Sequence, residues 1–147
     1  MGMATTPPPG WDVTIYRRAA ASGQQTHPIL HAATVALPSG RGDYGSGLVE
    51  VLGPDDVFVA LLDFGPAAAS TALFRGLNGL PALTPDAYRP RQLQRTILGQ
   101  AGVQRFFTSA GRGFCLYSVI GAMGNRVSLT ARANGLLGTV QLEASTL

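Results

Sequence analysis

Apolar and polar positions alternate from Trp11 to Arg18, with Trp11, Val13 and Ile15 on one side and Asp12, Thr14 and Tyr16 on the other. A period of two is the mark of a half-buried strand. His31 to Leu37 predicts a second strand, ended by Pro38, and the glycine-dense stretch Ser39–Gly47 predicts a loop. Leu48–Leu52 and Val57–Phe64 are two apolar runs separated by Gly53-Pro54-Asp55-Asp56, a spacing that predicts a hairpin at about 48–64. A short helix over Leu48–Leu52 is the alternative. The run VFVALLDF is apolar on both faces, so it belongs in the middle of a sheet with a layer packed on each side.

Beyond it the period changes. Ala67–Phe74 holds enough helix formers for one or two turns. Thr84-Pro85-Asp86 has the residue types of a helix start, and Pro90 opens a second short helix running to Leu98 and stopped by Gly99. A second hairpin is predicted at about 103–120, its arms Val103–Thr108 and Phe114–Ile120 joined through Ser109–Gly113. Leu129, Ala133, Leu136, Leu137 and Val140 recur at helical spacing and predict an amphipathic helix from about Val127, followed by a fraying tail after Leu142. The order of elements predicts one α+β domain over residues 11–147. It is built on a mainly antiparallel sheet and covered by helices, and residues 1–10 form a flexible, Pro-rich leader.

VFVALLDFG (Val57–Gly65), VQRFFTSAGRGFCLYSVIG (Val103–Gly121) and the closing helix with Asn134 and Leu137 carry a resemblance of pattern to the PsbP-like family of small α/β/α sandwiches. They also resemble small proteins from GC-rich bacteria. The resemblance covers about the last 90 residues. It implies a mostly non-enzymatic accessory or binding role, and it transfers no site residue, since that family has no universal site motif.

Composition narrows the chemistry. Charged residues make up 13% of the 147-residue chain against roughly 25% in an average globular domain. The sparse charge predicts exposed apolar area and self-association. All 11 basic residues are arginine, which removes Schiff-base, phosphate-loop and general-base lysines. A net charge of +3 permits an anionic partner without requiring one, and nucleic acid is not favoured. Cys115 is the sole cysteine, so neither an intrachain disulfide nor a cysteine-based zinc site is available, and no cofactor is implied. A lone thiol fits a reducing compartment but leaves the compartment open. No stretch is apolar and long enough for a membrane-spanning segment.

Several groups of residues are candidates for function. Gly40-Arg41-Gly42-Asp43-Tyr44-Gly45 matches the spacing of a dinucleotide-binding loop, with Asp63 about twenty residues on. Pro38 and the short distance to Gly53-Pro54 leave no room for the helix such a loop needs, so nucleotide binding through Gly40–Gly47 is an alternative, and a plain loop the expectation. His27 and His31 stand four apart, but Pro28 keeps that segment from being a helix that presents both to a metal. Cys115 lies among Phe114, Leu116 and Tyr117 and reads as buried filling. Asp63, at the end of an apolar run, calls for an arginine partner. The most distinctive stretch is Arg89–Arg112, with five of the 11 arginines, four glutamines and no acid. Arg91, Arg95, Gln104, Arg105 and Arg112 are the expected contact residues of a non-catalytic binding or assembly module. Its partner would be a protein, a second copy or an anionic ligand. A small enzyme or small-molecule-binding protein with a pocket near Asp63, Arg105 and Tyr117 is the other reading.

Overall fold

In the computed structural model, which describes residues 2–17, 26–39 and 42–143, seven strands form two antiparallel sheets. The strands are β1 (Met3–Thr5), β2 (Asp12–Tyr16), β3 (Ile29–Ala33), β4 (Val57–Gly65), β5 (Ala101–Ser109), β6 (Arg112–Ile120) and β7 (Val140–Leu142). The main sheet has the order β2-β3-β4-β6-β5, and β1 pairs with β7 in a separate ribbon. Two helices are present, α1 (Ala72–Arg75) and α2 (Arg126–Leu137), with five short 3-10 turns between strands.

The two apolar-on-both-faces runs are neighbours at the centre, as their composition requires. β4 runs against β6 from Val57 opposite Ile120 to Asp63 opposite Phe114. Every residue of β6 is buried, and all of β4 except Phe64. The second hairpin is present and longer than the pattern suggests. Its strands close to a two-residue turn at Ala110-Gly111, where both residues have positive φ, 52° and 75°. This handedness matches the twist of the flanking strands.

The first hairpin is not formed. Leu48–Leu52 is no strand: Val49–Val51 makes one 3-10 turn, the helical alternative in its tightest form. β4 pairs instead with β3, Ile29 opposite Leu62 and Ala33 opposite Phe58, so residues 34–56 are one long connection. β3 accordingly lies earlier than the expected strand at His31–Leu37. β3 is buried at all five positions. The expected strand shares His31–Ala33 with it, leaving Ile29 and Leu30 outside and taking in Thr34–Leu37, which is not strand. Met3–Thr5, assigned to the leader, is strand β1, held to β7 by the register Met3 opposite Leu142 and by Thr5 Oγ1 at 2.7 Å from Thr139 Oγ1. Val140, counted into the helical period, belongs to β7.

The helical cover is uneven: α2 lies on one face, and on the other only the single turn α1 contributes, setting Phe74 against Phe106. On one face, Leu129, Ala133 and Leu136 of α2 pack with Leu61, Phe114 and Leu116 of the sheet. Buried positions 129, 130, 133, 136 and 137 form the expected stripe along α2. On the other face, irregular chain does the covering: Leu48, Val49 and Leu52 pack on Phe58, Ala60 and Tyr117, joined by Tyr44 and Leu93. These are termed the helix face and the loop face.

Candidate functional site

Alternation along the strands assigns each expected residue to a face. Asp63 stands opposite Phe114 and Arg105 opposite Leu116, both pairs on the helix face, whereas Tyr117 stands opposite Ala60 and Gln104 on the loop face. Asp63, Arg105 and Tyr117 therefore do not frame one pocket.

The Arg/Gln stretch is likewise dispersed. Arg112 is buried, its Nε donating to Asp63 Oδ2 at 2.8 Å and its Nη2 to His27 Nδ1 at 2.8 Å. Asp63 Oδ1 takes the backbone N–H of Gly65 at 2.7 Å. Asp63 thus has the arginine partner that its position demands, and Arg112 is held inside the fold. Arg91 is exposed on the 3-10 turn Pro90–Gln92. Half-buried Arg105 donates to the carbonyl of Gln104 at 3.2 Å. Gln104 reaches the sulfur of Cys115 at 3.4 Å. Arg95 pairs with Glu50 at 2.9 Å, with 71% of its side chain exposed.

Part of the stretch serves the sheet. β5 is an edge strand, and unpaired backbone at an edge invites association. Arg89 exchanges two backbone hydrogen bonds with Gly102, 2.8 and 3.0 Å, and Gln92 Oε1 accepts from the N–H of Gln104 at 3.2 Å. Leu77 and Gly79 engage Thr108 in the same way farther along.

The nucleotide-type loop is fastened to the loop face. His31 Nε2 donates to the Asp43 carbonyl at 2.7 Å, and Tyr16 Oη donates to Asp43 Oδ1 at 2.8 Å. Gly45, at φ 85°, lies where an added Cβ would stand 2.5 Å from the Phe58 ring, so close packing explains that glycine. The chain then enters the three-residue turn Val49–Val51, with no helix for a phosphate to sit on. Gly40 and Arg41 lie outside the described residues. Both histidines have protein partners, and among the described residues no three His, Cys, Asp or Glu side chains are grouped to hold a metal ion. Cys115 is buried, and burial pushes its thiol up, away from nucleophilic character.

One cavity on the loop face has converging polar groups. It measures about 50 Å³ and lies over β6, walled by Val49, Leu93, Val119 and the rings of Tyr44 and Tyr117. Those rings meet edge to face with centroids 5.5 Å apart. Glu50 and Arg95 stand at its rim as an ion pair, and Glu50 Oε2 also accepts from Gly47 N–H at 2.7 Å.

Gln100 lines the same cavity and is 4% exposed. Its Nε2 donates to the Val49 carbonyl at 2.7 Å. A carbonyl accepts only from the NH₂ side of the amide, which fixes the orientation of the group. Its Oε1 is left with no hydrogen-bond partner among the described residues. Tyr117 Oη accepts from the N–H of Gln94 at 2.8 Å, which uses an oxygen lone pair and leaves the hydroxyl proton available. Burial pushes the Tyr117 phenol up, so it remains a donor at neutral pH.

Gln100 and Tyr44 were not visible as site residues in the sequence. Gln100 is one glutamine of a polar run, and only the 49–51 turn folding back against it gives its amide an orientation. Comparison with family models, with curated proteins and with solved structures yields no match.

Proposed function

We propose that the protein is a non-catalytic binding module whose working site is the loop-face cavity between the 42–52 connection and the 93–100 segment. The observation that carries this reading is the hollow itself, walled by Val49, Leu93, Val119 and the rings of Tyr44 and Tyr117, with the amide of Gln100 fixed by the Val49 carbonyl in its lining and the Glu50–Arg95 pair at its rim. Small-molecule sites have this composition: apolar walls with a few placed polar groups. The resemblance to PsbP-like domains, mostly accessory or binding proteins, agrees with the reading. Exposed Arg91 places positive charge on neighbouring surface, whereas Arg95 is paired with Glu50.

The volume bounds what enters. An apolar cavity of about 150 Å³ accepts benzene; one of about 50 Å³ takes a group of a few heavy atoms. A library of neutral fragments of three to six heavy atoms, followed through backbone amide resonances, tests the reading. Several members are expected to shift Val49, Gln94 and Gln100 saturably, with Kd in the millimolar range, equivalent to about 4 kcal/mol. If no fragment moves those three resonances, the cavity is a packing defect and the reading fails.

A further inference from the structure

The two edges of the main sheet differ. β5 is capped by irregular chain at Arg89, Gln92, Leu77 and Gly79, whereas no strand or turn among the described residues pairs with the outer side of β2. The ladder decides which groups β2 presents there. Thr34 N–H donates to the Val57 carbonyl at 3.1 Å and Asp63 N–H to the Pro28 carbonyl at 3.2 Å. Leu30 and Ala32 therefore bond to β4, and Ile29, His31 and Ala33 bond to β2, where they face Tyr16, Thr14 and Asp12. The intervening Val13 and Ile15 turn N–H and C=O outward, and no hydrogen bond from the described residues meets them there.

We infer that this edge pairs with the same edge of a second copy, antiparallel about a two-fold axis at Thr14, so that two sheets become one. The register that overlaps Asp12–Tyr16 in full is self-complementary. It sets Val13 of each copy opposite Ile15 of the other, and each such pair exchanges two backbone hydrogen bonds. Val13 and Ile15 are the half-buried margin of the helix-face core, which the second copy continues. On the loop face Thr14 meets Thr14, and Asp12 falls opposite Tyr16, so no like charges are opposed. Just past the strand, Arg17 falls opposite Trp11, a cation against an indole ring. Room is present, since an open hollow of about 490 Å³ runs along Trp11–Ile15 beside Thr5 and Pro7. Val13–Ile15 also carries no proline, charge or bulge to deter pairing. The match in hydrogen bonds, side-chain face and charge is what selects a second copy as the occupant.

The test is sedimentation equilibrium of the intact 15.3 kDa protein across a range of concentrations. A five-residue edge is small, so a weak dimer is expected, with Kd of about 100 μM. Val13→Pro deletes the outward N–H and leaves the bonds of Asp12, Thr14 and Tyr16 to β3 in place, a position at which an edge strand tolerates proline. It is expected to raise Kd about tenfold or more, with the amide resonances of β3 retained. Should that variant fail to fold, Thr14→Lys sets two ammonium groups face to face at the axis and is expected to abolish the dimer likewise.

A cross-link tests the register. Thr14 faces Thr14 as a non-hydrogen-bonded pair with Cα atoms about 4.5 Å apart, within disulfide reach. Thr14→Cys is expected to give a covalent dimer under diamide, which accepts two protons and two electrons from the paired thiols. Cys115 is buried and takes no part. Asp12→Cys, whose two copies lie about 14 Å apart along the strands at 3.4 Å per residue, is expected not to cross-link. A protein that stays monomeric up to about 1 mM, ten times the expected Kd, overturns the inference. So does a dimer that survives both Val13→Pro and Thr14→Lys, or one that cross-links through Asp12→Cys in place of Thr14→Cys.

Discussion

At the scale of single residues, the buried polar groups fall into two kinds. Most are closed networks. Ser118 Oγ donates its one proton to the Phe58 carbonyl at 2.9 Å, so it must accept from Tyr88 Oη at 2.8 Å. Asp63 and Arg112, with side chains 1% and 10% exposed, satisfy one another. Removing one member of such a pair leaves a buried charge without its counter-ion. Asp63→Ala or Arg112→Ala should each destabilise the fold by about 3–5 kcal/mol, and the double replacement by much less than their sum. Urea midpoints around that mutant cycle check the expectation. The open kind is rarer. Gln100 Oε1 and Thr130 Oγ1 have no partner among the described residues, but Thr130 is packed in the stripe of α2 against the sheet, whereas Gln100 lines the cavity.

At the scale of elements, legibility followed how directly a pattern depends on burial. β4 and β6 were readable because both faces of each are covered: no polar residue interrupts β4 before Asp63, and Ser118 alone interrupts the run Phe114–Ile120. β3 was legible only over His31–Ala33, since its bounds are set by its place between β2 and β4 and not by its own residues. Leu48–Leu52 misled for the opposite reason: Leu48, Val49 and Leu52 are buried, but as a lid on the loop face and not as a ladder. The Arg/Gln stretch looked like one contact surface because sequence shows charge but not direction. Alternation sends Gln104 and Arg105 to opposite faces, and Arg112 into the interior. α2 was legible except at its end, where Val140 belongs to β7, and it carries a weakness that can be tested. Gly135 is exposed in its interior and an added Cβ would meet nothing within 4 Å. Gly135→Ala should stabilise the protein by about 0.5–1 kcal/mol, seen as a raised denaturation midpoint with an unchanged denaturant slope.

At the scale of the whole molecule, few charges, two buried phenols and a buried thiol set the response to pH. Burial pushes Tyr88 up to about 12 and raises Tyr117 and Cys115. A group whose folded value lies above its unfolded value holds its proton in the native state after the unfolded chain has lost it. Its stabilising contribution is therefore complete below the unfolded pKa and lost as pH rises toward the folded one. Stability should be nearly flat through neutrality with respect to these groups. It should then fall above about pH 9–10, where unfolded thiols and phenols ionise, with Tyr88 alone accounting for about 2–3 kcal/mol between pH 10 and 12. Denaturation at pH 8, 10 and 11 measures the slope, and Tyr88→Phe should flatten it by about one proton. No helix among the described residues is long and apolar enough to cross a membrane. The molecule thus presents a central sheet with one face under α2 and the other under irregular chain that holds the cavity lined by Tyr44, Gln100 and Tyr117.

The claim on which the functional reading depends is that the loop-face cavity admits a small group beside the Tyr117 ring. The Cζ resonance of Tyr117 in ¹³C-labelled protein reports that entry directly. On titration with a neutral fragment of three to six heavy atoms it should move and saturate together with the backbone amides of Val49 and Gln94. A Cζ resonance that stays fixed at saturating fragment would contradict the account.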